Sequence, residues 1–202
     1  MSKVTLINQT EETVRLVLFQ KPVRNPTLAT IAWRVVAPPP GGSSTVDIPS
    51  DFSVQARYSY DPNNPSNLDT STKPVSFSET SASFSIDGVV SQAPRANVAV
   101  INQSFTDLVP SEVWIRNNFS ISAETTIYRG GDAIFEAQVI WPGGLFLENI
   151  ETSMYVAVVS QFTYKGQRLV QEELCVTQTE IPEDGSIIVT GSMWTDYSLS
   201  AT

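Results

Sequence analysis

Apolar and polar side chains alternate through much of the chain. In Val54-Gln55-Ala56-Arg57-Tyr58-Ser59-Tyr60 every second residue is apolar, and Phe77-Ser78 and Phe84-Ser85 repeat the pattern. A period of two puts successive side chains on opposite faces of a pleated strand, so antiparallel sheets with one wet face are expected. No segment carries a 3.6-residue period, which predicts little or no helix. Strands are expected near residues 3–9, 13–20, 29–37, 43–48, 52–60, 74–78 and 82–87. They are expected again near 97–103, 112–117, 124–129, 133–141, 145–149, 154–164, 169–177 and 186–199. Thirteen Pro and ten Gly punctuate these runs, as in the short strands of a sandwich or barrel.

The pattern recurs along the chain. Val4-Thr5-Leu6-Ile7-Asn8-Gln9-Thr10 returns as Val98-Ala99-Val100-Ile101-Asn102-Gln103-Ser104, at an offset of 94. At an offset of 102, Pro40-Gly41-Gly42 meets Pro142-Gly143-Gly144, Val54 meets Val156, Tyr60 meets Phe162, and Trp33 meets Phe135. Ser83-Phe84-Ser85-Ile86-Asp87-Gly88 resembles Ser186-Ile187-Ile188-Val189-Thr190-Gly191. These matches predict an all-β chain of tandem antiparallel β-sandwiches, Greek-key or jelly-roll-like, from an internal duplication. The expected domains are 1–95 and 96–202, divided at the polar stretch Ser91-Gln92-Ala93-Pro94-Arg95-Ala96.

Composition narrows the chemistry. The chain has no histidine and one cysteine, Cys175. Ser-His-Asp and Cys-His catalysis, an internal disulfide and a thiolate zinc site are therefore excluded within it. No cofactor and no bound metal are expected. A formal charge of −9 disfavours nucleic acid as a partner. No run reaches the roughly 18 to 20 apolar residues of a transmembrane helix. The N-terminus lacks the apolar core of a cleavable Sec signal, so a cytoplasmic chain or one exported by a non-Sec route is expected. All the net charge lies in residues 96–202. That acidity serves solubility, or it faces a basic partner surface.

Several residues carry candidate chemistry. Asp61, Asn63, Asn67 and Asp69 form a polar loop whose oxygens suit calcium, but the spacing is not that of an EF-hand. The same Asx- and Pro-rich composition also sets turns, and that is the reading preferred here. Trp141, beside Pro142-Gly143-Gly144, either stacks on a partner or caps a sandwich end. Trp33, Trp114 and Trp194 sit in strand patterns and are expected in the core or on strand faces. Glu172-Glu173 and Asp132/Glu136 offer carboxylates for a glycosidase pair, though acids are common here. Cys175, between Leu174 and Val176, reads as a small buried residue.

Ile7-Asn8-Gln9, Leu18-Phe19-Gln20, Ile31-Ala32-Trp33 and Pro40-Gly41-Gly42 resemble the bacterial RhiA-type proteins, rhizosphere-expressed and quorum-regulated. The resemblance is confined to the first half, and the second has Phe135 where the Trp stands. It implies a non-enzymatic bacterial accessory protein and carries no catalytic residues over. Two functions are therefore weighed. One is a structural or protein-interaction module, binding itself or another protein. The other is a carbohydrate-binding, lectin-like module, in which Trp141, Tyr128 and Tyr155 would line a groove. For self-assembly, Arg15, Arg24, Arg34 or Arg57 is expected against Glu148, Glu151, Glu172 or Glu173 of another copy, in a head-to-tail contact that weakens with salt.

Overall fold

The computed structural model describes residues 2–78, 81–89, 96–104, 111–170 and 178–202, and those residues contain no helix. The chain is all-β. Its first strands are β1 (Ser2–Asn8), β2 (Leu16–Phe19), β3 (Arg34–Val36), β4 (Ser43–Ile48), β5 (Phe52–Tyr58) and β6 (Thr70–Ser71). Then come β7 (Val75–Phe77), β8 (Ala82–Gly88), β9 (Ala99–Ser104), β10 (Glu112–Asn117), β11 (Ala123–Arg129) and β12 (Asp132–Ala133). The last are β13 (Gln138–Ile140), β14 (Leu145–Asn149), β15 (Tyr155–Val158), β16 (Thr179–Glu180), β17 (Ser186–Ser192) and β18 (Asp196–Ala201). The alternation read from the sequence is the cause of their burial. In β5, Phe52, Val54, Ala56 and Tyr58 turn inward, while Ser53, Gln55 and Arg57 turn out.

The strands form four sheets, ordered β18-β17-β1-β4, β16-β15-β2-β3, β14-β10-β8-β9 and β12-β11-β5-β6. In the last, β13 also pairs with β11 and β7 with β5. The sheets do not partition the chain at residues 95 and 96. The first two take every strand from 2–48 and 155–201, and the other two take every strand from 52–149. One sandwich-like unit is therefore inserted, in sequence, into the other. The chain crosses between them at 49–51 and again at 150–154. Of the expected boundary, Ser91–Arg95 lies outside the described residues, but the strands on either side are partners, with Gly88 opposite Ala99. Two parallel pairings close the units, β1 with β17 and β8 with β10. Both join strands remote in sequence, which local pattern cannot reveal.

Geometry recurs between the units, partly at the expected offsets. β5 lies antiparallel to β11 with Val54 opposite Ile127, and β15 lies antiparallel to β2 with Val156 opposite Leu18. Gly42 donates to the Pro39 carbonyl and Gly144 to the Trp141 carbonyl, at 2.9 and 2.8 Å. Gly41 and Gly143, with φ of 67° and 74°, take the left-handed conformation these turns require. The 94-residue match does not superpose equivalent positions. Asn8 is fully buried at the end of β1, and its structural counterpart is Asn117, at the end of β10. Asn102 instead is exposed on β9 and donates to Asp87.

One apolar core runs through both units. It includes Leu6, Leu18, Trp33 and Val156 from the outer unit and Val54, Phe84, Ile115 and Ile127 from the inner. Trp33 has no exposed surface, and its indole N–H donates to the Arg129 carbonyl at 2.9 Å. Truncating it to Ala would cost about 3–5 kcal/mol. A second cluster, Val17, Phe19, Ala32, Ala157, Val159 and Leu169, covers the other face of β2 and β15. That sheet therefore has no wet face there, unlike the simple alternation expected.

Candidate functional site

The aromatics selected from the sequence do not converge. Trp141 is 70% exposed on the turn between β13 and β14. Tyr128 is half-buried on β11, its hydroxyl 3.5 Å from the Gln55 amide oxygen. Tyr155 is half-buried on β15, stacked on Phe19 at 6.0 Å, with the Lys21 ammonium 3.9 Å from its ring centroid. Burial, followed by the nearby Glu180 and Glu151, pushes its hydroxyl above the usual range. None of the three lines a cleft of about 630 Å³ or another of about 390 Å³.

The 61–70 loop spends its oxygens on itself. Asp61 accepts from the backbone N–H of Asn63 at 2.8 Å and from its side-chain amide at 3.1 Å. Asp69 accepts from the Tyr60 N–H at 2.9 Å and from the Asn67 amide at 3.1 Å. The Tyr60 bond holds the Asp69 carboxyl below its ordinary value. The Asp61 bond to the Asn63 N–H is an Asx turn, and Asp69 ties the loop's end back to its start at Tyr60. Asp132 is held by Arg34 and Lys165, and Glu136 lies 3.6 Å from Arg168, so each of these carboxylates faces a cation. Glu172, Glu173 and Cys175 lie outside the described residues.

Trp194 departs from its expected strand face. The run expected over 186–199 is a hairpin, β17 and β18, with Ser192 opposite Asp196. Trp194 stands at its tip, 88% exposed, beside Met193 at 65%. Phe162 and Tyr164, on the loop after β15, are 77% and 65% exposed. The connection between β1 and β2 ties both tips down. Glu12 accepts from the Met193 N–H at 3.0 Å and the Tyr197 hydroxyl at 2.7 Å, and Arg15 donates to the Thr163 carbonyl at 2.5 Å. Four large apolar side chains thus protrude from loops anchored on one connection. Sequence missed this group because Trp194 and Phe162 fall inside stretches, 186–199 and 154–164, that read as continuous strands. Gly191 was the available signal: its φ is 92°, and a Cβ there would lie 2.1 Å from the Asp196 carbonyl oxygen.

The arginines expected at an intermolecular contact act within the chain. Arg24 pairs with Glu112 at 2.7 Å, Arg57 with Glu124 at 3.2 Å, and Arg34 with Asp132. Glu148 has no exposed surface. It accepts from the backbone N–H groups of Val23, Arg24 and Asn25 at 2.9, 2.7 and 3.1 Å. The Asn25 amide also reaches the Leu147 carbonyl at 2.6 Å, so a loop covers this part of the β14 edge.

A cleft of about 630 Å³ opens where the units join. Its walls include Ile48 and Glu180 of the outer unit, Phe52 and Arg129 of the inner unit, and Ser50 and Thr152 of the crossings. Arg129 ends β11 in inward phase with Ala123, Thr125 and Ile127, and it is 4% exposed. Burial lowers its pKa to about 10, which the charge of Asp51 partly offsets, so it stays protonated at neutral pH. Gly130 follows it at φ 55°, and a Cβ there would meet Pro49 at 2.4 Å. The alternation of Ala123, Thr125 and Ile127 carries Arg129 inward with them.

No family model matches the chain, and no curated protein or solved structure matches it significantly.

Proposed function

We propose that the chain is a non-catalytic bacterial accessory protein, a structural module of β-sandwich units descended from an internal duplication, which assembles with copies of itself. The observation that carries this reading is the protruding group of Trp194, Met193, Phe162 and Tyr164, each at least 65% exposed. Aromatic side chains held rigidly on loops supply contact area at little entropic cost and dominate binding energy at interfaces. Trp141 and Leu145, 70% and 48% exposed, offer a second apolar site on the inner unit. The absence of histidine, and the cations facing Asp132 and Glu136, support a non-catalytic role. Arg24, Arg34 and Arg57 have carboxylate partners in their own chain. Assembly then rests on apolar contact, opposed by the −9 charge of each copy. Sedimentation velocity over a concentration series, on the native chain and on Trp194→Ser/Phe162→Ser, tests this. Association in the first and loss of it in the second are expected. Catalysis is tested separately on a panel of glycans and esters, where turnover abolished by one carboxylate substitution would refute the non-catalytic reading.

A further inference from the structure

We propose that the junction cleft binds a small amphipathic monocarboxylate, with Arg129 as the anion-binding group. The argument begins with an incomplete set of partners. Arg129 Nε donates to the Pro49 carbonyl at 2.7 Å, and Nη1 to the Thr152 carbonyl at 3.2 Å and the Gln20 amide oxygen at 3.4 Å. All three acceptors are neutral. Among the described residues, Nη2 has no acceptor and no carboxylate lies within ion-pair distance of the guanidinium. Arg24, Arg34, Arg57 and Arg168 each lie within ion-pair distance of an acid, yet Arg129, the most buried of the described arginines, does not. A buried cation on which Asp51 acts only from beyond ion-pair distance is costly unless something in the cleft completes it. Folding retains it at the wall of a 630 Å³ cleft, with its remaining N–H groups unspent.

The walls define the rest of the ligand. Ile48, Phe52, Met154 and Ile181 give an apolar surface, and the Phe52 ring centroid lies 5.1 Å from Arg129 Cζ. An apolar body fits there while a carboxylate accepts two N–H bonds from the guanidinium fork. Ser50 and Ser78 add hydroxyls. Glu180 and Glu183 line the cleft and are exposed, so they sit at its mouth. Their charge opposes phosphate and other polyanions and leaves a single carboxylate favoured. The position also suits a ligand site, since such sites concentrate at junctions between units.

The test uses the full chain, labelled with ¹⁵N, and three probes: sodium hexanoate, hexan-1-ol and inorganic phosphate. Hexanoate should give saturable amide shifts centred on Ser50, Phe52, Ser153 and Ile181. Hexanol and phosphate should bind at least about tenfold more weakly, because a charge-assisted pair is worth more than a neutral one. Arg129→Lys should weaken hexanoate about tenfold through loss of the planar fork. Glu180→Gln, on the exposed rim, should tighten it severalfold, which a merely structural role for Arg129 would not produce. No saturable hexanoate shift in the native chain would overturn the proposal. So would hexanol or phosphate binding as well as hexanoate, or a Glu180→Gln chain with unchanged affinity, the variant that decides the matter should Arg129→Lys not fold.

Discussion

Arg129 and Gln20 meet side chain to side chain at 3.4 Å; Arg129 grips both crossings between the units and Gln20 grips the second. Arg129 Nε holds the Pro49 carbonyl of the first crossing, and the Gln20 amide holds the Glu151 carbonyl of the second, both at 2.7 Å. Replacing Arg129 by Met leaves the Pro49 and Thr152 carbonyls short of a donor in a partly buried setting. The expected loss is about 2–4 kcal/mol, read as a lower urea midpoint. Gln20→Ala should cost about 1–3 kcal/mol. If the two residues act as one clasp, the double variant will lose less than the sum of the single losses.

Asn8 and Asn117 perform one task at two places. Asn8 donates to the carbonyls of Glu12 and Pro38 at 2.8 and 2.9 Å and accepts from the Thr10 N–H at 2.9 Å. Asn117 donates to Ile121 and Ile140, both at 2.8 Å, and accepts from Phe119 at 2.9 Å. Asn8→Ala and Asn117→Ala should each cost about 1–3 kcal/mol in denaturant unfolding, and the two losses should add because the sites share no partner.

Glu148 organises the loop before β3 from inside the protein. Glu148→Ala strands the N–H groups of Val23, Arg24 and Asn25 and should cost about 2–4 kcal/mol. Hydrogen exchange at those three amides should rise more than at the β5–β11 ladder. Uniform acceleration would show that the carboxylate supports the whole fold instead of the loop.

Acid should destabilise the chain partly through Asp132. Burial by itself would raise this carboxyl, but Lys165 at 2.6 Å and Arg34 outweigh it and hold the value below 3.8. A carboxylate with a depressed folded-state pKa contributes stability above its unfolded value, and that contribution disappears as pH falls through the folded one. Between neutral pH and pH of about 3, the native chain should therefore lose more stability than Asp132→Asn. Equal losses in urea melts at the two pH values would remove Asp132 from the account.

Strand positions were legible because alternation and burial are two views of one geometry, as in Phe52–Tyr58. The pairing scheme was not. Val4–Asn8 and Val98–Asn102 read alike, yet β1 is bordered by β17 and β9 by β8. A strand sequence records which face is wet and not which neighbour will lie beside it. Glu148 read as a surface acid because nothing local to Leu147-Glu148-Asn149 announces the loop at Val23–Asn25 that surrounds it. Trp141 was correctly placed on a turn, whereas Trp194 was hidden inside residues 186–199, which read as one strand.

Light scattering coupled to size exclusion, over a range of concentration and salt, tests the proposed assembly most directly. Apolar contact between copies of charge −9 should strengthen as salt shortens the Debye length from about 10 to 3 Å. The mass should rise above 22.1 kDa with concentration and with salt, and Trp194→Ser/Phe162→Ser should return it to 22.1 kDa throughout. A native chain that stays at 22.1 kDa at high concentration and high salt would contradict the account. So would an assembly that dissolves as salt rises or survives the double substitution.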